Sequence, residues 1–145
     1  MPGLTLEQAG TIVAAALRRA RETDCAPLAV AVLDDGGHLK AFAREDGAGI
    51  IRPQIAFGKA WGALGMGFGS RALAQRAAAS PQFYAQLAVT SGGRVVTNPA
   101  GVLIRDAGGE VIGAVGISGD TSDKDEVCAI AGVEAAGLKP DPGAA

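Results

Sequence analysis

Leu6, Ala9, Ile12, Val13, Ala16, Leu17 and Ala20 recur at helical spacing, while Arg18, Arg19, Arg21 and Glu22 fall on the opposite side. Thr5-Leu6-Glu7-Gln8 at the head of this run has the form of a capping box. The Thr5 hydroxyl can accept from a backbone N–H there, and the Gln8 side chain can reach back. Asp24 to Pro27 ends the helix. Leu28 to Leu33 is an unbroken apolar run of strand length. Asp34-Asp35-Gly36-Gly37 then reads as a tight turn, and Leu39 to Arg44 returns as its partner strand.

The middle of the chain is helical and rich in glycine. Pro53 suits the first turn of a helix running through Gln54, Ile55, Phe57, Lys59, Trp61 and Leu64. Gly58, Gly62, Gly65, Gly67 and Gly69 each cost about 1 kcal/mol relative to alanine inside a helix. They predict close packing against another backbone, or a break near Gly65. Ser70 is placed to cap a short helix through Ala79, and Ser80-Pro81 to start another through Leu87. Ser91 to Gly101 reads as loop. A second hairpin follows from Gly101 to Ile117, and its Asp106-Ala107-Gly108-Gly109 turn repeats the chemistry of the first. Ser122, with Asp125 in the next turn, opens a last helix that contains Cys128 and Val133. Gly137 closes it, and Pro140 lies just beyond. Two hairpins set between helices predict an α/β (α+β) domain, with one antiparallel sheet packed against helices. The expected bounds are one domain over residues 1–139 and a disordered tail over 140–145.

A length of 145 residues fits one domain, since domains run to roughly 100–200 residues. Hydrophobic residues make up 48% but aromatics only 4%, so the core must rest on many small contacts. So apolar a chain is expected to bury surface between subunits, as a homo-oligomer. A net charge of −2 with interspersed signs argues against nucleic-acid or membrane-surface partners. There is no basic, apolar leader at Met1-Pro2-Gly3, and the expected location is the cytoplasm. Cys25 and Cys128 form no metal motif and read as buried, reduced thiols.

Several stretches, taken in order, resemble the GlcG/HbpS-like family, which includes the C-terminal domain of PduO-type proteins. They are Val32 to Leu39, Phe42 to Ala48, the helical Ala56, Lys59 and Ala60, Gly109 to Gly119, and Asp125-Glu126. The resemblance covers nearly the whole chain, and Ile112 to Gly119 followed by the acidic pair is its most specific part. It implies a profilin-like antiparallel sheet of about five strands with helices packed on its faces. It also implies assembly into homo-oligomers, and a small-molecule-binding role with haem or a related tetrapyrrole as the named ligand. Some members resemble enzymes that act on small organic acids.

Haem asks for an apolar slot, an axial ligand and cations for its propionates. His38 is the only histidine, and its place after a Gly-Gly turn reads as exposed. The resemblance places a histidine elsewhere, and the first helix here has none. Tyr84, Met66 and Cys25 are the conceivable replacements. No zinc ligand set, Gly-x-Ser-x-Gly elbow or dinucleotide fingerprint occurs, so no metal site is predicted.

The candidate ligand-binding residues are Arg44, Lys59, Trp61, Asp125 and Glu126. Two readings of them stand side by side. In the structural one, the acids favour a helix N-terminus by roughly 0.3–1 kcal/mol and Lys59 snorkels to solvent. In the functional one, Arg44 grips a ligand carboxylate through its planar fork. Lys59, desolvated, and Glu126 then exchange protons as the catalytic pair of a cofactor-free tautomerase, isomerase, hydratase or lyase.

Overall fold

The structure is a computed structural model that describes residues 3–143. Its elements are α1 (Leu6–Glu22), β1 (Ala29–Asp34), β2 (Leu39–Arg44), α2 (Arg52–Met66), α3 (Ser70–Ala79), α4 (Pro81–Thr90), β3 (Gly101–Arg105), β4 (Val111–Ser118), α5 (Ser122–Ala135) and β5 (Lys139–Asp141). The strands form one antiparallel sheet in the order β2-β1-β4-β3-β5, with helices on both faces, as the hairpin pattern predicts.

Both hairpin turns are built the same way. The Asp34 carboxylate accepts from the Gly36 and His38 amides, and that of Asp106 accepts from the Gly108 and Glu110 amides. Gly37 and Gly109 take positive φ, 81° and 86°, which closes a three-residue loop with a bulge. The register slips at the matching place in each hairpin, after Val32 and after Ile104.

Val30, Val32, Val102, Ile104, Val115 and Ile117 project to the face covered by α1 and α5. There they meet Ile12, Ala16, Cys128, Ala129 and Val133 in the main core. The other face carries mostly small residues. Ala29, Ala31, Leu33, Gly101, Leu103, Ala114 and Gly116 lie under α2, which contributes Ala56, Ala60 and Ala63. A Cβ on Gly116 would overlap the Ala56 carbonyl, and one on Gly101 would overlap the Lys59 carbonyl. The helix therefore rests on strand backbone.

Several local expectations change. The α2 helix does not break at Gly65; it runs to Met66 and ends on Gly67 at φ 81°. Its internal glycines answer to close packing instead. Gly58 and Gly62 face Val96 and Val95, so the segment after α4 lies flat on α2. Ser70 does not cap α3, since Gly69 holds that position. The buried Ser70 hydroxyl accepts from the Gly101 amide at 2.6 Å. The last helix opens at Ser122 as expected, with Thr121 as its cap. The fourth helix runs on to Thr90, and Gly137 follows α5 at φ 75°. The expected tail is ordered as far as Gly143. Lys139, Pro140 and Asp141 pair with β3, Asp141 receives Arg105 Nε at 3.0 Å, and Pro142 O accepts from the Arg71 amide. Residues 144–145 of that tail lie outside the described residues.

Candidate functional site

Lys59 and Asp125 are brought together. Lys59 leaves the sheet-facing side of α2, and its Nζ donates to Ile117 O at 2.8 Å, at the end of β4. Asp125, in the first turn of α5, accepts the Asp120 amide on Oδ1 and places Oδ2 3.6 Å from Lys59 Nζ. The side chains are 3% and 1% exposed. Among the described residues no hydrogen-bond donor reaches Asp125 Oδ2. Burial holds the Lys59 ammonium below its ordinary value, against the pull of Asp125 and with a smaller push from Arg52. Burial likewise raises the Asp125 carboxyl, opposed by the Asp120 amide and by Lys59. The pair is a desolvated clamp that joins α2, β4 and α5.

The other sequence-predicted residues are committed elsewhere. Glu126 takes the Arg71 Nε on both oxygens, at 3.1 and 3.0 Å, while Arg71 also holds Asp123. Arg44 is exposed at the end of β2 and donates to Ala48 O at 2.7 Å. It pairs with Ala29, whose other neighbour is Ser118, so it lies two strands from β4, roughly 10 Å at about 4.8 Å per strand. Within one chain it shares no pocket with Lys59. Trp61 lies beneath the Gly36-Gly37 turn and carries the Arg94 guanidinium 4.4 Å above its ring.

The cavity that could take an organic ligand was not foreseen in the sequence. About 600 Å³ in volume, it opens between the sheet edge and α2. Ala31, Leu39 and Phe42 form its floor, Pro53, Gln54 and Phe57 one wall, and Gly92-Gly93-Arg94 the other. The glycine spacing of α2 explains why Arg94 sits there. Gly58 O accepts the Val96 amide, and Gly58 and Gly62 let residues 94–96 press onto the helix. Arg94 Nε is then anchored to Ser91 O at 2.8 Å. Leu39 and Phe42 of the lining are also exposed, as are Ile50 and Ile51 shortly ahead of Pro53 in the chain.

Sheet, helices and cavity together define a small α+β domain with one sheet face of mostly small residues and an apolar cleft at its edge. The chain belongs to the HbpS-like family, whose model, described as haem-degrading protein HbpS-like, matches residues 4–134. It is similar to the PduOC–haem complex, at 26% identity over 94% of this chain and 97% of that one, with a TM-score of 0.85. It is also similar to the Klebsiella pneumoniae protein ORFY, at 26% identity over 94% and 92% of the two chains, TM-score 0.84. A doubly substituted HbpS of Streptomyces reticuli is 29% identical over 92% and 87%, with a TM-score of 0.77. No protein of curated function matches the chain significantly. Among the described residues, no helix is long and apolar enough to cross a membrane.

Proposed function

We propose that this chain binds a flat, apolar, carboxylate-bearing molecule of the tetrapyrrole kind, with haem as the named candidate, in the cleft between β2, α2 and Gly92-Gly93-Arg94. The observation that carries this reading is the cavity. Its volume of about 600 Å³ falls within the roughly 300–1,000 Å³ usual for small-molecule sites. Its walls are aliphatic and aromatic except for Gln54 and Arg94. Stacking on Trp61 and the bond to Ser91 O hold the guanidinium in place, ready to meet a propionate through its fork. The similar PduOC structure, a complex with haem, supports the same ligand class. A homo-oligomer goes with this reading, because Ile50 and Ile51, shortly ahead of Pro53 in the chain, are 94% and 56% exposed and a second copy would cover them. So does a cytoplasmic location, where thiols such as Cys25 and Cys128 stay reduced.

The residues fit the macrocycle and its carboxylates, but the lining holds no axial ligand for iron. An enzyme built on Lys59 and Glu126 would need a route to an ammonium that is 3% exposed, and a Glu126 released from Arg71. Titration with hemin tests the binding reading. Saturable absorbance and quenching of the single tryptophan are expected at micromolar ligand, and Phe42→Asp, which puts a charge on the floor, is expected to abolish both. Absence of saturable binding, or binding untouched by Phe42→Asp, would refute the site.

A further inference from the structure

Resting on that reading, we propose that the cleft recognises the porphyrin macrocycle and its carboxylates irrespective of the metal, so that metal-free porphyrins bind it as tightly as haem does. The polar groups that line it are the Gln54 amide, the Arg94 guanidinium and the backbone of two glycines. None is an imidazole, thiolate, thioether or phenolate of the kind that holds haem iron. Among the described residues, the side chains that could do so lie outside the lining. His38 turns back over its own hairpin, with Nδ1 3.3 Å from Asp34 Oδ1, and stands in solvent with its side chain 80% exposed. Cys25 and Cys128 are buried on the opposite face of the sheet, in the α1–α5 core. Met66 ends α2, about 13 Å along the helix axis from Phe57 at about 1.5 Å per residue. Tyr84 stacks edge-on against Phe83, their ring centroids 5.2 Å apart. Affinity then comes from planar apolar contact and from Arg94, both of which protoporphyrin IX offers without iron.

The test titrates hemin, zinc protoporphyrin and metal-free protoporphyrin IX into the wild-type protein and into His38→Ala. Affinities within about threefold of one another, unchanged by His38→Ala, are expected. Hemin bound about tenfold or more tighter than protoporphyrin IX, or hemin binding lost in His38→Ala, overturns metal independence while leaving the cleft as the site. If none of the three binds, the underlying reading falls as well.

A separate observation concerns the thiols. Cys25, in the connection from α1 to β1, and Cys128, in α5, are far apart in sequence, yet their sulfurs stand 3.9 Å apart. We infer that they are a latent disulfide site, closed by hydrogen peroxide. The Cys25 sulfur attacks a peroxide oxygen and releases water as a sulfenic acid forms; Cys128 then displaces the sulfenic oxygen as a second water. Two thiols lose two hydrogens, and one peroxide becomes two waters. Cys25 is the entry point because, in a connecting loop and 4% exposed, it keeps a little contact with solvent, whereas Cys128 has none. Burial foremost, and then Cys25, push the Cys128 thiol up to about 12, so closure is expected to be slow. Hydrogen peroxide should give an intact mass short by two hydrogens, a Cys25–Cys128 cross-linked peptide and a higher melting temperature. Cys25→Ser should give none of these. Oxygen adducts without the cross-link would overturn the inference.

Discussion

Replacing Lys59 with methionine keeps the length of the side chain but leaves Asp125, 1% exposed, with no cation beside it. At 3.6 Å and an effective dielectric constant of about 20, the lost attraction is about 4–5 kcal/mol. The Ile117 carbonyl also loses its donor. Breaking a buried pair from one side typically costs about 3–5 kcal/mol, in line with that figure. With a urea slope of about 2 kcal/mol per M, the unfolding midpoint should fall by about 2 M. The companion variant Lys59→Met with Asp125→Leu removes both charges and should return to within about 1 kcal/mol of wild type, because the desolvation cost goes with the charges. Both measurements belong at one protein concentration, since assembly shifts apparent stability. A single-variant midpoint within about 0.5 M of wild type would refute the clamp, as would a double variant no more stable than the single one.

The same pair sets a pH dependence. The folded protein holds its Asp125 proton above the ordinary 3.8, so stability should fall as pH rises from 3.8 through the raised value. Lys59 gives up its proton below the ordinary 10.5, so stability should rise between the lowered value and 10.5; chemical unfolding across pH should show both limbs in wild type and neither in the double variant. Gly58→Ala puts a methyl against Val96 and the Arg94 carbonyl. It should cost about 1–3 kcal/mol and also weaken protoporphyrin IX binding, whereas a loss of stability with affinity intact would detach Arg94 from the cleft. Removing residues 139–145 takes β5 from β3 and Asp141 from Arg105. A melting temperature lower by roughly 5–15 °C in calorimetry is expected, and no change would mean that β5 adds nothing.

The hairpins were legible because each is a local event: an aspartate that caps its own turn, a glycine at positive φ, and strands that alternate or run apolar on either side. The first helix was legible for the same reason, since its Thr5–Gln8 box closes within one turn. What the sequence hid depends on distant neighbours. Pro140-Asp141 looks like the start of a tail because so short a stretch with a proline carries no strand pattern, and only an unpaired edge at β3 makes a place for it beside Lys139. Ser70 has the form of a cap until Gly101 arrives to use its hydroxyl. Lys59 and Asp125 were picked out as candidates, but not as partners at the sheet end. Arg44 was grouped with them although two strand spacings intervene. The cleft depends on Gly92-Gly93-Arg94, which reads simply as loop. Its one local signal was the pair Gly58 and Gly62 on the helix that carries Phe57 and Trp61, each leaving room for the segment that brings Arg94 in.

Glycines and mostly small side chains beneath α2, with the Gly101 and Gly116 backbones set directly against the helix, leave it little to rearrange when something docks alongside. Pro53 and Phe57 ride on that helix, so the jaw they form opposite Phe42 is held by backbone contacts at Ala56 and Lys59. Such an opening would grade its guests by thickness before any of their polar groups is read. A flat ring is expected to enter more readily than a puckered or globular one of equal area.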